Sequence, residues 1–119
     1  MAVYVDDMRA KFGGMTMCHM VSDSDAELHA MAATIGVARR WWQAPPKHES
    51  HYDIALSKRA LAVKAGAIEI TWRQTGMMTL RRRVTGSLGT PEDAERWFNQ
   101  LQTDRRAARE ANSAAQVGT

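Results

Sequence analysis

Cysteine is nearly missing: Cys18 is alone among 119 residues, which excludes an internal disulfide and fits a reducing compartment. No run approaches the roughly 18 apolar residues that a membrane span needs. Acids stand at positions 6 and 7, where a signal peptide carries a basic region followed by an apolar stretch. A cytoplasmic protein without a membrane partner is therefore expected. The glycine patterns of phosphate-binding loops and dinucleotide folds are absent, as are a GxSxG elbow, HExxH and paired CxxC. Gly13-Gly14 is by itself only a turn. Charge of one sign is not in large excess either: 16 basic residues against 13 acidic give +3, too little to announce nucleic-acid binding.

What is present describes one ordinary globular domain. Hydrophobic residues make up 45% and charged residues 24% of the chain, enough for a core without staples. Ala2 to Asp6 alternates like a strand, with Val3 and Val5 on one face. Ser24 and Glu27 form a capping-box pattern ahead of Leu28, Met31, Ala32 and Ile35, predicting a helix over 25–35 that ends at Gly36. Val37 to Gln43 reads as a strand, and 44–50 as a proline-bearing loop leading to His51-Tyr52-Asp53. A second helix is expected from Ile54 or Lys58 to Ala65, then a strand in which Ile68, Ile70 and Trp72 alternate with Glu69, Thr71 and Arg73. Residues 74–89 fit either a hairpin arm or a helical turn and loop. Thr90 as cap, Pro91 at the first position, and Glu92 and Asp93 in the first turn open a last helix. The expected fold is α/β: one domain over 1–110, with a sheet of three to four mostly parallel strands and three helices. Residues 111–119 are expected to be a disordered tail.

Five short patterns recur together: Tyr4-Val5-Asp6-Asp7, Cys18-His19-Met20 with Ser22-Asp23, Glu27-Leu28-His29-Ala30, Gly36-x-x-Arg39-Arg40 and His51-Tyr52-Asp53. Over about residues 1–73 they resemble a domain of unknown function found in small phage and actinobacterial proteins. The resemblance implies a bacterial or phage cytosolic origin. It directs attention to His19, Arg39, Arg40, His51, Tyr52 and Asp53, and supplies no mechanism.

The residues suggest chemistry of three kinds. If Ser57 caps the second helix, Lys58 and Arg59 sit where the dipole disfavours cations, and a phosphate or carboxylate there would be gripped by both, with Arg39 or Arg40 adding a bidentate fork. If Asp53 is the cap instead, both cations are simply solvated. His51 and Asp53 share one face of an extended segment and suit a divalent ion, with His19, His29, Asp6 and Asp23 as further ligand types; the bland alternative is a capping Asp53 and a His51 bonded to a backbone carbonyl. Trp41 and Trp42 point to opposite faces, one for the core and one for stacking. Cys18 beside His19 is no dyad, because neighbours in sequence need not face each other. Arg81-Arg82-Arg83 could contact a nucleic-acid backbone, but a basic run this short reads as a solvated face.

The leading expectation is a protein that binds a phosphate-bearing small molecule, a nucleotide above all. Arg39, Arg40, Lys58 and Arg59 would hold phosphate, and His51 and Tyr52 would orient the ligand. A metal-dependent phosphoester hydrolase or nuclease is the alternative enzyme, with Asp6, His51 and Asp53 as catalytic candidates and His19, His51 and Asp53 as metal candidates. A phage protein that binds and inhibits a host protein is the third, using the tryptophan and methionine surfaces. No cofactor is expected, a divalent ion being the one minority candidate; nucleic acid and a second copy of the chain are further candidate partners.

Overall fold

The computed structural model describes residues 2–117. Strand β1 (Val3–Val5) leads into a hairpin of β2 (Ala10–Phe12) and β3 (Met15–Ser22), followed by helix α1 (Asp25–Thr34). A 3-10 turn at Arg39–Trp41 precedes the two-residue strand β4 (Trp42–Gln43), and another at Lys47–Glu49 precedes β5 (His51–Ala55). Then come α2 (Leu56–Lys64), β6 (Ile68–Glu69), α3 (Trp72–Thr85) and α4 (Pro91–Val117).

The α/β class stands, but among the described residues the sheet has six strands, in the order β4-β5-β3-β1-β6 with β2 also paired to β3, and there are four α-helices rather than three. Among the described residues only β1 with β6 is a parallel pair; the other pairings are antiparallel. The reason lies in the interleaving. The crossover through α1 takes the chain from β3 to a parallel β4, and β5 then returns between them. The crossover through α2 takes it from β5 to a parallel β6, with β3 and β1 lying between. Alternating strands and helices signal crossovers, but not which strand fills the gap that each one leaves. A further antiparallel pair comes from Gly13, whose φ of +60° suits the tight turn joining β2 to β3.

Strand parity sends side chains to two cores. Val3, Val5, Cys18, Met20, Tyr52 and Ile54 pack against Leu28 and Ala32 of α1 and Ala62 of α2. Tyr4 and Val21 point the other way, to Met77 and Met78 of α3 and Ala94 of α4. His19, His51 and Asp53 have the parity of the second face.

Three local expectations change. The stretch 37–43 holds a 3-10 turn at Arg39–Trp41, with only Trp42–Gln43 in a strand. The strand over 68–73 ends at Glu69, because Thr71 and Gln74 form a reciprocal capping box that starts α3, and residues 74–85 are helix. Asp7 Oδ1 accepts the Trp72 amide at 2.7 Å and ties this helix start to the end of β1. Helix α2 begins after Ala55 with no side-chain cap, so neither Ser57 nor Asp53 caps it. As expected, Ser24 accepts the Glu27 amide and Thr90 accepts the Asp93 amide. Helix α4 continues through 111–117, the stretch with tail-like composition; residues 118–119 lie outside the described residues. Among the described residues no helix is long and apolar enough to cross a membrane.

Candidate functional site

Three neighbouring strands put a polar row on the α3 side of the sheet. His19 of β3 is the register partner of Asp53 of β5. The Asp6 amide donates to the His19 carbonyl at 3.1 Å, extending the β1–β3 ladder by one residue. Directly paired residues share a face, so Asp6, His19 and Asp53 stand side by side, and His51 joins them two residues from Asp53.

Each imidazole is anchored through Nδ1. Asp6, with no exposed surface, accepts His19 Nδ1 on Oδ2 at 2.7 Å and the His19 amide on Oδ1 at 2.8 Å. Burial works against the Asp6 charge, but these bonds from His19 outweigh it and hold the carboxyl below its usual pKa. His51 Nδ1 bonds the Glu49 carbonyl. A carboxylate and a carbonyl only accept, so both Nδ1 atoms carry protons and both Nε2 atoms are turned toward Asp53. His19 Nε2 lies 3.8 Å and His51 Nε2 3.4 Å from Asp53 Oδ1, while Gln43 Nε2 fixes the other oxygen, Oδ2, at 2.7 Å. The His51 hydrogen bond, reinforced by Gln43 and by both ring charges, lowers the Asp53 pKa despite partial burial. Burial opposes charge on His51, yet Asp53 and the Glu49 carbonyl prevail and raise its pKa.

One ligand atom from each of His19, His51 and Asp53 lies within 4.8 Å of the other two. A tetrahedral ion with bonds of about 2.0–2.1 Å separates its ligands by about 3.3 Å. His51 Nε2 at 3.4 Å and His19 Nε2 at 3.8 Å from Asp53 Oδ1 are near that spacing, and when the rings are neutral both Nε2 atoms offer lone pairs beside the carboxylate oxygen.

The cluster borders a mostly apolar cleft of about 460 Å³ between the sheet, the 48–51 segment and α3; Trp72, Gly76, Leu88 and Arg82 line it with His19 and His51. Arg82 donates to the Ser22 and Lys47 carbonyls, and its nearest carboxylate, Asp23, is 3.8 Å away.

The other candidates are dispersed. Tyr52 points through the sheet to the opposite core, where its hydroxyl bonds His29 at 2.8 Å. Arg39 lies close enough to oppose the rise that burial gives the Tyr52 pKa, and Arg40 stacks on Trp41. Lys58 Nζ sits beside Gly36. Arg59 is engaged by the Asp6 carbonyl at 2.8 Å and Glu69 at 2.9 Å. These four cations thus have separate neighbours, whereas one ligand atom from each of His19, His51 and Asp53 lies within 4.8 Å of the other two, with Asp6 behind them. Asp23 accepts the Leu88 amide. Gln43 escaped the sequence reading because it needs the β4–β5 register to be seen; Arg82, read as part of a solvated run, is instead buried and donates to two backbone carbonyls.

Fold and cluster define the class: a small α/β protein with a histidine–carboxylate centre on its sheet. The chain belongs to the family described as Protein of unknown function (DUF4031), whose model matches residues 3–83 and so spans β1 through most of α3. No curated protein and no solved structure matches it.

Proposed function

We propose that this protein is a divalent-metal-dependent hydrolase of phosphate esters, with His19, His51 and Asp53 as metal ligands. One observation carries the reading: both imidazoles are anchored through Nδ1 and converge with Nε2 on one oxygen of Asp53. Anchored rings of that kind suit metal ligation, because the second hydrogen bond sets tautomer and orientation. Three protein ligands leave a fourth position for water, the arrangement of catalytic rather than structural zinc. Bound there, the ion would lower the water's pKa and polarise the phosphoryl oxygens.

In the reaction, the water oxygen attacks phosphorus, the bond from phosphorus to the ester oxygen breaks, and the alcohol leaves with a proton while inorganic phosphate remains. With Asp53 as its one charged ligand, a divalent ion keeps positive charge at the open position, and Arg82 adds another cation in the cleft. An anionic phosphate suits that field.

The test is calorimetric titration of chelator-treated protein with Zn²⁺, Mn²⁺ and Fe²⁺, followed by release of inorganic phosphate from a monoester panel. We expect one ion per chain and turnover that chelation abolishes and metal restores. Two histidines and a carboxylate are also a ligand set of non-haem iron. Absence of metal binding, or turnover confined to Fe²⁺ with oxygen consumption, would overturn the hydrolase reading.

A further inference from the structure

The cleft beside the cluster has a shape that metal binding and hydrolysis do not require. Its α3 wall presents Trp72, Thr75, Gly76, Thr79 and Arg82, spaced along one helix face. The core-facing residues Met77 and Met78 are large and buried, but between Trp72 and Arg82 the cleft wall is small. Gly76 is interior to a 14-residue helix, where glycine is the least favoured residue after proline. It has ordinary helical backbone angles, and a Cβ added there would meet nothing within 4 Å. Neither backbone conformation nor a close neighbour calls for glycine at this position. What glycine leaves is open space.

The ends of that space differ in chemistry. At one end His19 and His51 turn their Nε2 atoms toward Asp53. Trp72, 63% exposed, stands on the rim as an uncovered indole. At the other end is Arg82, only 3% exposed, with two backbone carbonyls as hydrogen-bond partners and the Asp23 carboxylate at 3.8 Å. From His19 to the Arg82 partner Ser22 is three residues of β3, about 10 Å at strand rise. The volume of about 460 Å³ falls within the roughly 300–1,000 Å³ of small-molecule sites. A ligand filling it is thus anionic where it meets the metal and mostly apolar in the middle, where the exposed indole offers a stacking face, and has an acceptor at its inner edge, since guanidinium only donates.

We infer that the substrate is a nucleoside phosphate, with its phosphate on the metal at His19, His51 and Asp53 and its base in the cleft between Trp72, Gly76 and the 48–51 segment. The base stacks against the Trp72 indole and turns an acceptor-bearing edge toward Arg82. This rests on the metal-site reading, and it adds the recognition element.

The experiment separates the two. Zn²⁺ affinity is measured first, on the full chain and on Gly76→Leu, and then the four nucleoside 5′-monophosphates and ribose 5-phosphate are titrated into each zinc-loaded protein. Ribose 5-phosphate has the same sugar phosphate without the base. The wild type should bind at least one nucleotide tenfold or more tightly than ribose 5-phosphate. Gly76→Leu, which fills open space and improves helix propensity, should fold, bind Zn²⁺ and ribose 5-phosphate within twofold of wild type, and lose the nucleotide preference. Normal zinc binding with equal affinity for nucleotides and ribose 5-phosphate would overturn the base cleft alone, as would a preference that survives in Gly76→Leu. Absence of zinc binding in the wild type would overturn both readings. If Gly76→Leu does not fold, Trp72→Ala on the rim replaces it and should reduce the nucleotide preference at least threefold; an unchanged preference would count against the cleft.

Discussion

Replacing Asp6 by Asn should weaken Zn²⁺ binding about 10–100-fold, the usual effect of losing the carboxylate behind a metal-binding histidine. In the native site Oδ1 of Asp6 accepts two backbone amides, those of His19 at 2.8 Å and Met8 at 3.3 Å, while Oδ2 accepts His19 Nδ1 at 2.7 Å. Asn can keep the amide bonds only by placing its own carbonyl where Oδ1 was. Its NH₂ group then faces His19 Nδ1 and demands an acceptor there. The proton moves to Nε2, and the ring points an N–H, not a lone pair, at the metal position. Flipping the Asn amide would restore the ring tautomer but set NH₂ against both backbone amides, so the first arrangement wins. Tenfold is about 1.4 kcal/mol, so the loss corresponds to about 1.4–2.8 kcal/mol of binding energy. Competition against a chromophoric chelator would measure it, with circular dichroism to verify the fold and His19→Ala as the direct ligand deletion. Asp6→Asn binding zinc within twofold of wild type, with an intact fold, would refute the tautomer reasoning.

His51→Gln should abolish metal-dependent turnover with little change in melting temperature, because the ring is partly exposed and glutamine retains a hydrogen-bonding end; a melting scan and a phosphate-release assay check both halves. Tyr52→Phe should cost about 0.5–1.5 kcal/mol in denaturant unfolding through loss of the bond to His29, and leave zinc affinity unchanged because that bond lies on the other face of the sheet. Burial first, and then the Arg39 charge, hold the His29 pKa below its ordinary value. The neutral ring's contribution is therefore complete above about pH 6.5 and is lost as pH falls through the lower folded value, so His29→Gln should flatten the decline in melting temperature between pH 7 and 5. Cys18 is buried, and burial together with the Asp6 carboxylate pushes its thiol up to about 11; a thiol reagent at pH 8 should modify it only as fast as the chain opens. Thr71→Ala removes one half of the α3 capping box and should lower stability by about 0.5–2 kcal/mol in the same unfolding assay.

Local signals in the chain reached a long way. The Ser24 and Thr90 caps, the first helix and the alternation of β1 depend on contacts within a few residues, where side-chain type nearly dictates backbone geometry. The shared face of His51 and Asp53 followed from the two-residue period of an extended strand, and His19 was a candidate by ligand type. Misreadings arose where two local signals competed. Ile68, Ile70 and Trp72 alternate like a strand, yet the Thr71–Gln74 capping box claims the same backbone for α3.

Only the tertiary structure decided which strands are neighbours. Register between β1, β3 and β5 brings together Asp6, His19 and Asp53 from positions up to 47 residues apart, and nothing within any one strand encodes it. The same register carries Tyr52 through to the opposite core although it lies between His51 and Asp53. It also spends Arg59 on the Asp6 carbonyl instead of leaving it for an anion. Residue types dictated what chemistry was available; the pairing of strands, set by two cores closing on opposite faces of one sheet, selected which of those residues meet.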